Sequence, residues 1–251
     1  VPSKYQQIEA ILRERILDGT YPPGSEFPAR RILEAEFGVS SRVIVDAVRP
    51  LADEGLIETK PGTSSTVCGE PDVIRMARAW YDGHVGTSPW RASMAAIGRD
   101  GSWTSASEPT TAPAPIAKRL GIEPGARAMR TDYTFTLDGR PAFLSRSFEP
   151  MDLTSGTEML LPESGPHAGK GVYERMRLLG RTPTFWEEEV LTHDLTATEA
   201  DALRLRVGSR ALLIWRTYFD GNEPDLRPLE TADIVLPRAI RPRYRFPIRE
   251  D

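Results

Sequence analysis

The stretch that most constrains this chain is residues 36–67, EFGVSSRVIVDAVRPLADEGLIETKPGTSSTV. Gly38 lies between two runs of helical period, and Gly55 lies between the second run and two short strand-like runs around Pro61-Gly62. Glycine lets a helix end in a left-handed turn, so each marks a stop. Within the second run Ile44, Ala47, Val48 and Leu51 recur at helical spacing and predict one buried stripe, with Ser40 placed to cap the helix. Arg42, Val45 and Arg49 fall at i, i+3 and i+7 on the opposite face. Pro50 removes a hydrogen bond inside this helix, at a cost of about 3 kcal/mol, and predicts a kink.

Upstream, SKYQQIEAILRERILDG places Tyr5, Ile8, Leu12 and Ile16 at spacings of three and four, with Ser3 as N-cap and Gly19 as stop. Pro22, Pro23, Gly24 and Pro28 force a loop before a short second helix over 29–37, with Ile32 and Leu33 inward. Three helices followed by a hairpin is a winged helix-turn-helix. The segment resembles the N-terminal domain of the GntR family of bacterial transcription regulators. The resemblance rests on YQQIEAILRERILDGTYPPGSEFP, RRILEAEFGVS, AVRPLADEGLIE and KPGTSSTV.

That resemblance implies DNA contacts, position by position. Arg31 matches the family's second-helix arginine, and Ser40 matches its serine. Ser41 stands where the family has a first arginine, with Arg42 one place later. Val43 replaces a threonine, Val45 a second arginine, and Ser64 the second wing glycine, while Lys60, Pro61 and Gly62 remain. The candidate DNA-contacting residues are Arg31, Ser40, Ser41, Arg42, Val45, Arg49, Lys60 and Gly62. Outward valines suit thymine methyl groups in the major groove. Alternatively, Val43 and Val45 pack on the second helix or the wing. Asp46 beside the arginines would repel phosphate or accept from cytosine N4.

Charge argues against DNA at first sight. The chain carries a net −4, and residues 1–68 hold eight Lys+Arg against ten Asp+Glu, a balance of −2. Phosphate contacts are local, however, and a few placed arginines outweigh a domain's sum. The single cysteine, Cys68, excludes an intramolecular disulfide and a Cys-rich zinc site, and His84, His167 and His193 lack metal-ligand spacing. Neither a metal nor a cofactor is expected. No apolar run approaches the roughly 18–20 residues of a membrane span, and the start lacks a signal pattern, so a cytoplasmic protein is expected.

Residues 69–71 read as a linker within 69–87, with Asp72 capping a short helix over 73–80; a second domain is expected over 88–251. Pro109, Pro113 and Pro115 predict a stiff loop leading to a short helix. Two alternating runs around Asp138-Gly139 form the clearest hairpin. Further strands are predicted over 184–193, 211–219 and 230–236, and helices over 171–179 and 196–205. The fold class is α+β, with an antiparallel sheet in the second domain.

This half resembles the UTRA ligand-sensing domain of the HutC branch of the same family, whose fold is similar to chorismate lyase. The stretches that carry this are IAKRLGIEPGARAMRTDYTFTLDGRPAFLSRSFEP, GVYERMRLLGRTPTFWEEEVLTHDLTATEADALRLRVGSRALLIWRTYFD and ETADIVLP. The resemblance implies a repressor, dimeric through its C-terminal domain, that leaves a near-palindromic operator when a small molecule binds. In phosphosugar-responding relatives, arginines before the hairpin turn and a glutamate after it hold the ligand. Here Tyr133, Phe135 and Ser145 occupy those places, while Glu230 matches the family's acidic position. A phosphate or carboxylate needs fixed cations or donors, and these places lack them. A less charged, more aromatic effector is therefore expected, unless Tyr133 and Phe135 are ordinary alternating strand residues. Gly165, Gly169 and Gly171 before a helix offer amides to a ligand acceptor, or simply a loop, with His167 and Lys170 beside them. The effector-binding candidates are thus Tyr133, Phe135, Ser145, Gly169, Gly171 and Glu230. Glu187–Glu189 alternate faces along a predicted strand and read as a solvated edge rather than an acid/base pair. Two other readings are an effector-independent plasmid- or DNA-control protein and a chorismate-lyase-like enzyme; ligand turnover separates the enzyme from a sensor.

Overall fold

The computed structural model describes residues 2–53, 55–58, 64–68, 74–77 and 88–244. Lys60 and Gly62, and with them the Pro61-Gly62 turn, lie outside the described residues, as does Trp80. The chain divides into two compact units, Val1–Ile74 and Arg75–Asp251.

In the first unit, helices α1 (Lys4–Leu17), α2 (Arg30–Phe37) and α3 (Ser41–Asp53) precede two short strands, β1 (Ile57–Glu58) and β2 (Thr66–Val67). The strands pair antiparallel, Ile57 opposite Val67. Ile8, Leu12 and Ile16 of α1, Leu33 of α2, and Ile44, Ala47 and Leu51 of α3 are buried in one core with Phe27, Leu56, Ile57 and Val67. Helical spacing read this stripe correctly. Two residues depart from it. Tyr5, at the start of α1, is 40% exposed. Ile32 points to solvent at 59% exposure, because an eight-residue helix with Leu33 inward turns its neighbour about 100° away. Gly38 ends α2 in the left-handed region (φ +61°). Helix α3 runs through Pro50 to Asp53 as one element.

The second unit is built on a six-stranded antiparallel sheet of order β4-β5-β6-β9-β8-β7. Its strands are β4 (Gly101–Thr111), β5 (Arg127–Leu137), β6 (Arg140–Pro150), β7 (Pro183–Asp194), β8 (Arg210–Asp220) and β9 (Arg227–Pro237). The predicted hairpin is β5–β6, with Asp138 and Gly139 both at positive φ. Residues 105–111, expected as a stiff loop, belong to β4 and pair with β5 along its length. Pro109 is tolerated because β4 is an edge strand, where a missing N–H breaks no ladder on the open side. The helix expected over 73–80 is also corrected. Ile74–Ala77 form strand β3, paired with β10 (Ile240–Arg243), and burial of both Ile74 and Met76 is the period-two signature of a strand.

One face of the sheet is covered by helices α5 (Ala114–Leu120) and α8 (Ala197–Leu203). Ile116, Ala117 and Leu120 pack with Ala128 and Phe148, and Ala200 and Leu203 pack with Ala211 and Val235. The other face carries α4 (Pro89–Ala95) and α7 (Val172–Leu178), while α6 (Met151–Thr154) directly follows β6. Among the described residues no helix is long and apolar enough to cross a membrane.

Candidate functional site

The first unit presents one outward helical face. Arg42 and Arg49 are exposed on α3 and Val45 lies between them, 37% exposed. Val43, by contrast, packs partly buried against the core with Val48. The two valines therefore divide: Val43 belongs to the fold, and Val45 to the surface. Asp46 sits within this face and pairs with both arginines, 3.0 Å from Arg42 Nε and 3.5 Å from an Arg49 terminal nitrogen. It orients the guanidiniums, and such exposed pairs are worth about 0–1 kcal/mol, so they exchange readily for phosphate. Ser40 supplies its carbonyl to the amides of Val43 and Ile44 at the helix start. Arg31 and Ser40 are exposed and Ser41 is half-buried.

In the second unit a cavity of about 480 Å³ opens on the sheet face opposite α5 and α8. Alternation along each strand sends every second side chain into it. Ser145 of β6 stands opposite Tyr133 of β5 and Ile234 of β9, and Ser147 stands opposite Ala232, which faces Arg216 and then Glu188. Of the sequence candidates, Tyr133, Phe135, Ser145, Gly171 and Glu230 line this cavity. Tyr133 and Phe135 thus lie on its wall. Their rings stack at 5.6 Å, and Phe135 stacks on Phe143 at 4.3 Å. Trp90 meets Phe143 edge-on at 5.0 Å, and Trp103 leans on Phe135 at 6.1 Å. The result is an aromatic wall over β4, β5, β6 and α4.

The lining is also charged, which corrects the expected lack of cations. Arg175 and Arg216 both line the cavity, from α7 and β8 rather than from the hairpin strands. Each is already engaged. Arg175, 2% exposed, donates from both terminal nitrogens to Glu149 at 2.5 and 2.9 Å and from one of them to the Met159 carbonyl at 2.7 Å. Burial opposes its charge, but Glu149 beside it more than compensates and strengthens its hold on the proton. Arg216 donates to both oxygens of Glu230 at 3.0 and 3.3 Å and lies 4.8 Å from the Tyr218 ring. Burial raises the Glu230 carboxyl against the pull of Arg216.

The glycine loop does something other than expected. Gly169 does not line the cavity; its N–H donates to Glu163 at 3.0 Å, and Tyr133 donates its hydroxyl to the same carboxylate at 3.2 Å. Burial, with Glu163 nearby, pushes the Tyr133 phenol well above its usual range and keeps the proton on it. Glu163 is thereby aimed at the cavity, which it lines with Lys170. Glu188 also departs from the solvated edge expected of its run: Glu187 and Glu189 are exposed, while Glu188 lines the cavity and accepts from Tyr244 at 2.6 Å. The alternation of faces expected along this run is what turns Glu188 inward between two exposed neighbours.

Gly101 sets how closely α4 approaches the wall. A Cβ there would stand 2.8 Å from Met94 Cγ and 3.1 Å from the Trp90 indole nitrogen, which donates to the Thr136 carbonyl at 2.9 Å. Gly101→Ala is therefore expected to destabilise the second unit by about 1–3 kcal/mol through overpacking. A urea melt followed by tryptophan fluorescence measures this, because all five tryptophans fall after residue 75. A loss below a few tenths of a kcal/mol would show that Met94 gives way freely.

Comparison with known proteins places these two units. Residues 4–67 match the model for bacterial regulatory proteins of the gntR family, and residues 104–235 match the UTRA domain. A crystal structure assigned to the GntR-family transcriptional regulators is 36% identical with a TM-score of 0.72, covering 98% of both chains. An HTH-type transcriptional regulator of Streptomyces coelicolor is 25% identical over 226 residues, 85% of this chain and 82% of that protein. The mannosyl-D-glycerate transport/metabolism system repressor of Escherichia coli K12 is 35% identical over 63 residues, 25% of this chain and 26% of its own. With one family model on the helical unit and the other spanning more than half the chain, the protein belongs to the GntR family of bacterial transcription regulators, in its HutC-type architecture of a DNA-binding unit followed by a UTRA ligand-binding domain.

Proposed function

We propose that the protein is a homodimeric repressor that holds a near-palindromic operator through α3 and releases it when a small molecule occupies the cavity of the second unit. The observation that carries this reading is the formed cavity, of a size that takes small ligands, in a chain that also presents an outward Arg42–Val45–Arg49 face. Two copies would set two α3 helices into successive major grooves, so the operator's symmetry mirrors the dimer's. Arg42 reaches a guanine edge, Val45 meets a thymine methyl, and Arg49 meets phosphate, with Arg31 and Ser40 at the flanks. The ligand releases DNA by the difference in its affinity for the two arrangements of the dimer, not by its affinity alone. A relative named as a repressor supports the sign of regulation. The cavity also speaks against the effector-independent reading, which needs none, and turnover of a bound ligand would favour an enzyme over a sensor.

The test is capture of genomic DNA fragments by the purified full chain at physiological salt with excess competitor DNA. Recovery of a short inverted repeat, in a 2:1 complex by light scattering, is the expected outcome. Recovery of nothing above competitor would overturn the regulator reading and leave the acidic balance of residues 1–68 as the governing fact.

A further inference from the structure

Among the described residues the charges lining the cavity balance, with Glu163, Glu188 and Glu230 against Lys170, Arg175 and Arg216. A singly charged ligand of either sign would leave such a site with an unmatched charge. The six groups are not equally occupied. Arg216 donates to both oxygens of Glu230 and stands directly opposite Glu188 on the neighbouring strand. Arg175 spends its terminal nitrogens on Glu149 and the Met159 carbonyl, and feels the Glu163 charge only at longer range. Glu163 and Lys170 remain. Both come from the segment between α6 and α7, yet among the described residues neither has an ion-pair partner, and they do not pair with each other. Glu163 accepts one hydrogen bond on each oxygen, from Tyr133 and Gly169, and a carboxylate has about four lone-pair directions, so it retains acceptor capacity.

This carboxylate and this ammonium adjoin the aromatic wall. Tyr133, whose hydroxyl holds one oxygen of Glu163, stacks its ring on Phe135 at 5.6 Å. Gly169, whose amide holds the other oxygen and which precedes Lys170, lies against Trp103: a Cβ there would stand 3.8 Å from that ring. Trp103, Tyr133 and Phe135 are half-buried and line the cavity. We infer that the effector is a zwitterionic aromatic molecule of the α-amino-acid type, with its ring on this wall, its ammonium on Glu163 and its carboxylate on Lys170. This rests on the reading of the cavity as the effector site. A zwitterion engages both unpaired groups through charge-assisted hydrogen bonds and leaves a balanced lining balanced. Its ring gains the contact area that Trp103, Tyr133 and Phe135 offer. A phosphate ester, by contrast, would meet Lys170 while bringing its charge beside Glu163.

Three probes that share one ring and one chain length test this: L-tryptophan, tryptamine, which lacks the carboxylate, and indole-3-propionate, which lacks the amine. Each is titrated calorimetrically into the full chain at pH 7. L-Tryptophan is expected to bind at least about tenfold tighter than either analogue. The variants should then cross. Glu163→Gln is expected to erase the advantage over indole-3-propionate and keep the advantage over tryptamine, and Lys170→Met is expected to do the reverse. A variant that only loosened the fold would weaken all three probes alike, and the unliganded melting temperature of each variant controls for this. Should Glu163→Gln lower that temperature, the half of the comparison carried by Lys170→Met decides. Either analogue matching L-tryptophan overturns the inference, as does failure of all three probes to bind at millimolar concentration. Uniform weakening, or no change, in both variants overturns the roles of Glu163 and Lys170. Operator capture is scored separately. If an operator is held and a singly charged probe is preferred, only the ligand class falls; if no operator is captured, the regulator reading falls whatever the probes do.

Discussion

Glu149→Ala is expected to cost the second unit about 3–5 kcal/mol, because it strands a buried guanidinium. Arg175 is 2% exposed and Glu149 is 1% exposed, and of the guanidinium's three hydrogen bonds to α6–β6 neighbours and the following loop, two go to Glu149. Once the carboxylate is gone, the Met159 carbonyl alone cannot repay the desolvation of a full charge. Tryptophan fluorescence in urea reads the effect cleanly, since the first unit contributes no tryptophan to the signal. The double variant Glu149→Leu with Arg175→Met should recover most of the loss, as replacement of a buried pair by apolar residues of similar volume is often neutral or better. A single-variant loss under about 1 kcal/mol would mean that water reaches the pair, and the buried-pair description would fail. The same variant bears on ligand choice. An unmatched Arg175 facing the cavity should draw an anionic ligand toward the site more strongly than the parent chain does.

That pair marks the boundary of what a sequence shows. Apolar period is a local property, so Ile8, Leu12, Ile16, Ile44, Ala47 and Leu51 declared the helical core, and Asp138-Gly139 declared the central hairpin. Local signals misled where pairing with a distant segment decided the outcome. Residues 105–111 look like a proline loop until β5 lies beside them, and Ile74–Ala77 look helical until β10 does. The cavity divides in the same way. Tyr133, Phe135, Ser145 and Glu230 were legible because the family pattern fixes strand positions around the hairpin. Arg175 and Arg216 were not, because nothing near Glu149 in sequence announces a guanidinium 26 residues later on α7. In sequence the Gly169 amide can be open to a ligand or part of a plain loop; in the fold it is spent on Glu163, a partner that only the folded loop supplies. Val43 and Val45 differ by two residues and fall on different sides of one helix. Their separation required knowing where α3 meets the rest of the core.

Replacing Arg42 and Arg49 together by alanine is expected to weaken operator binding by about 2–6 kcal/mol, the sum of about 1–3 kcal/mol for each lost contact. The measurement is a salt-resolved titration on the captured operator. If Arg49 meets phosphate, Arg49→Ala should lower affinity evenly across sequences and reduce the salt slope by about one, while Arg42→Ala should relax preference at one base pair. Asp46→Asn tests the arrangement from the other side. Asp46 holds both guanidiniums by exposed pairs and adds a negative charge to the face that meets DNA. Its removal should strengthen binding to all DNA and so lower the ratio of specific to non-specific affinity. Val45 supplies the remaining distinction: Val45→Arg gains a phosphate contact and loses a methyl contact, so affinity is kept while discrimination at a thymine falls. If the double arginine variant binds the operator within twofold of the parent chain, α3 is not the reading element. The deficit of basic charge in residues 1–68 is tolerable only if these two side chains carry the contact, so their failure to matter would remove the physical basis for groove reading by this helix.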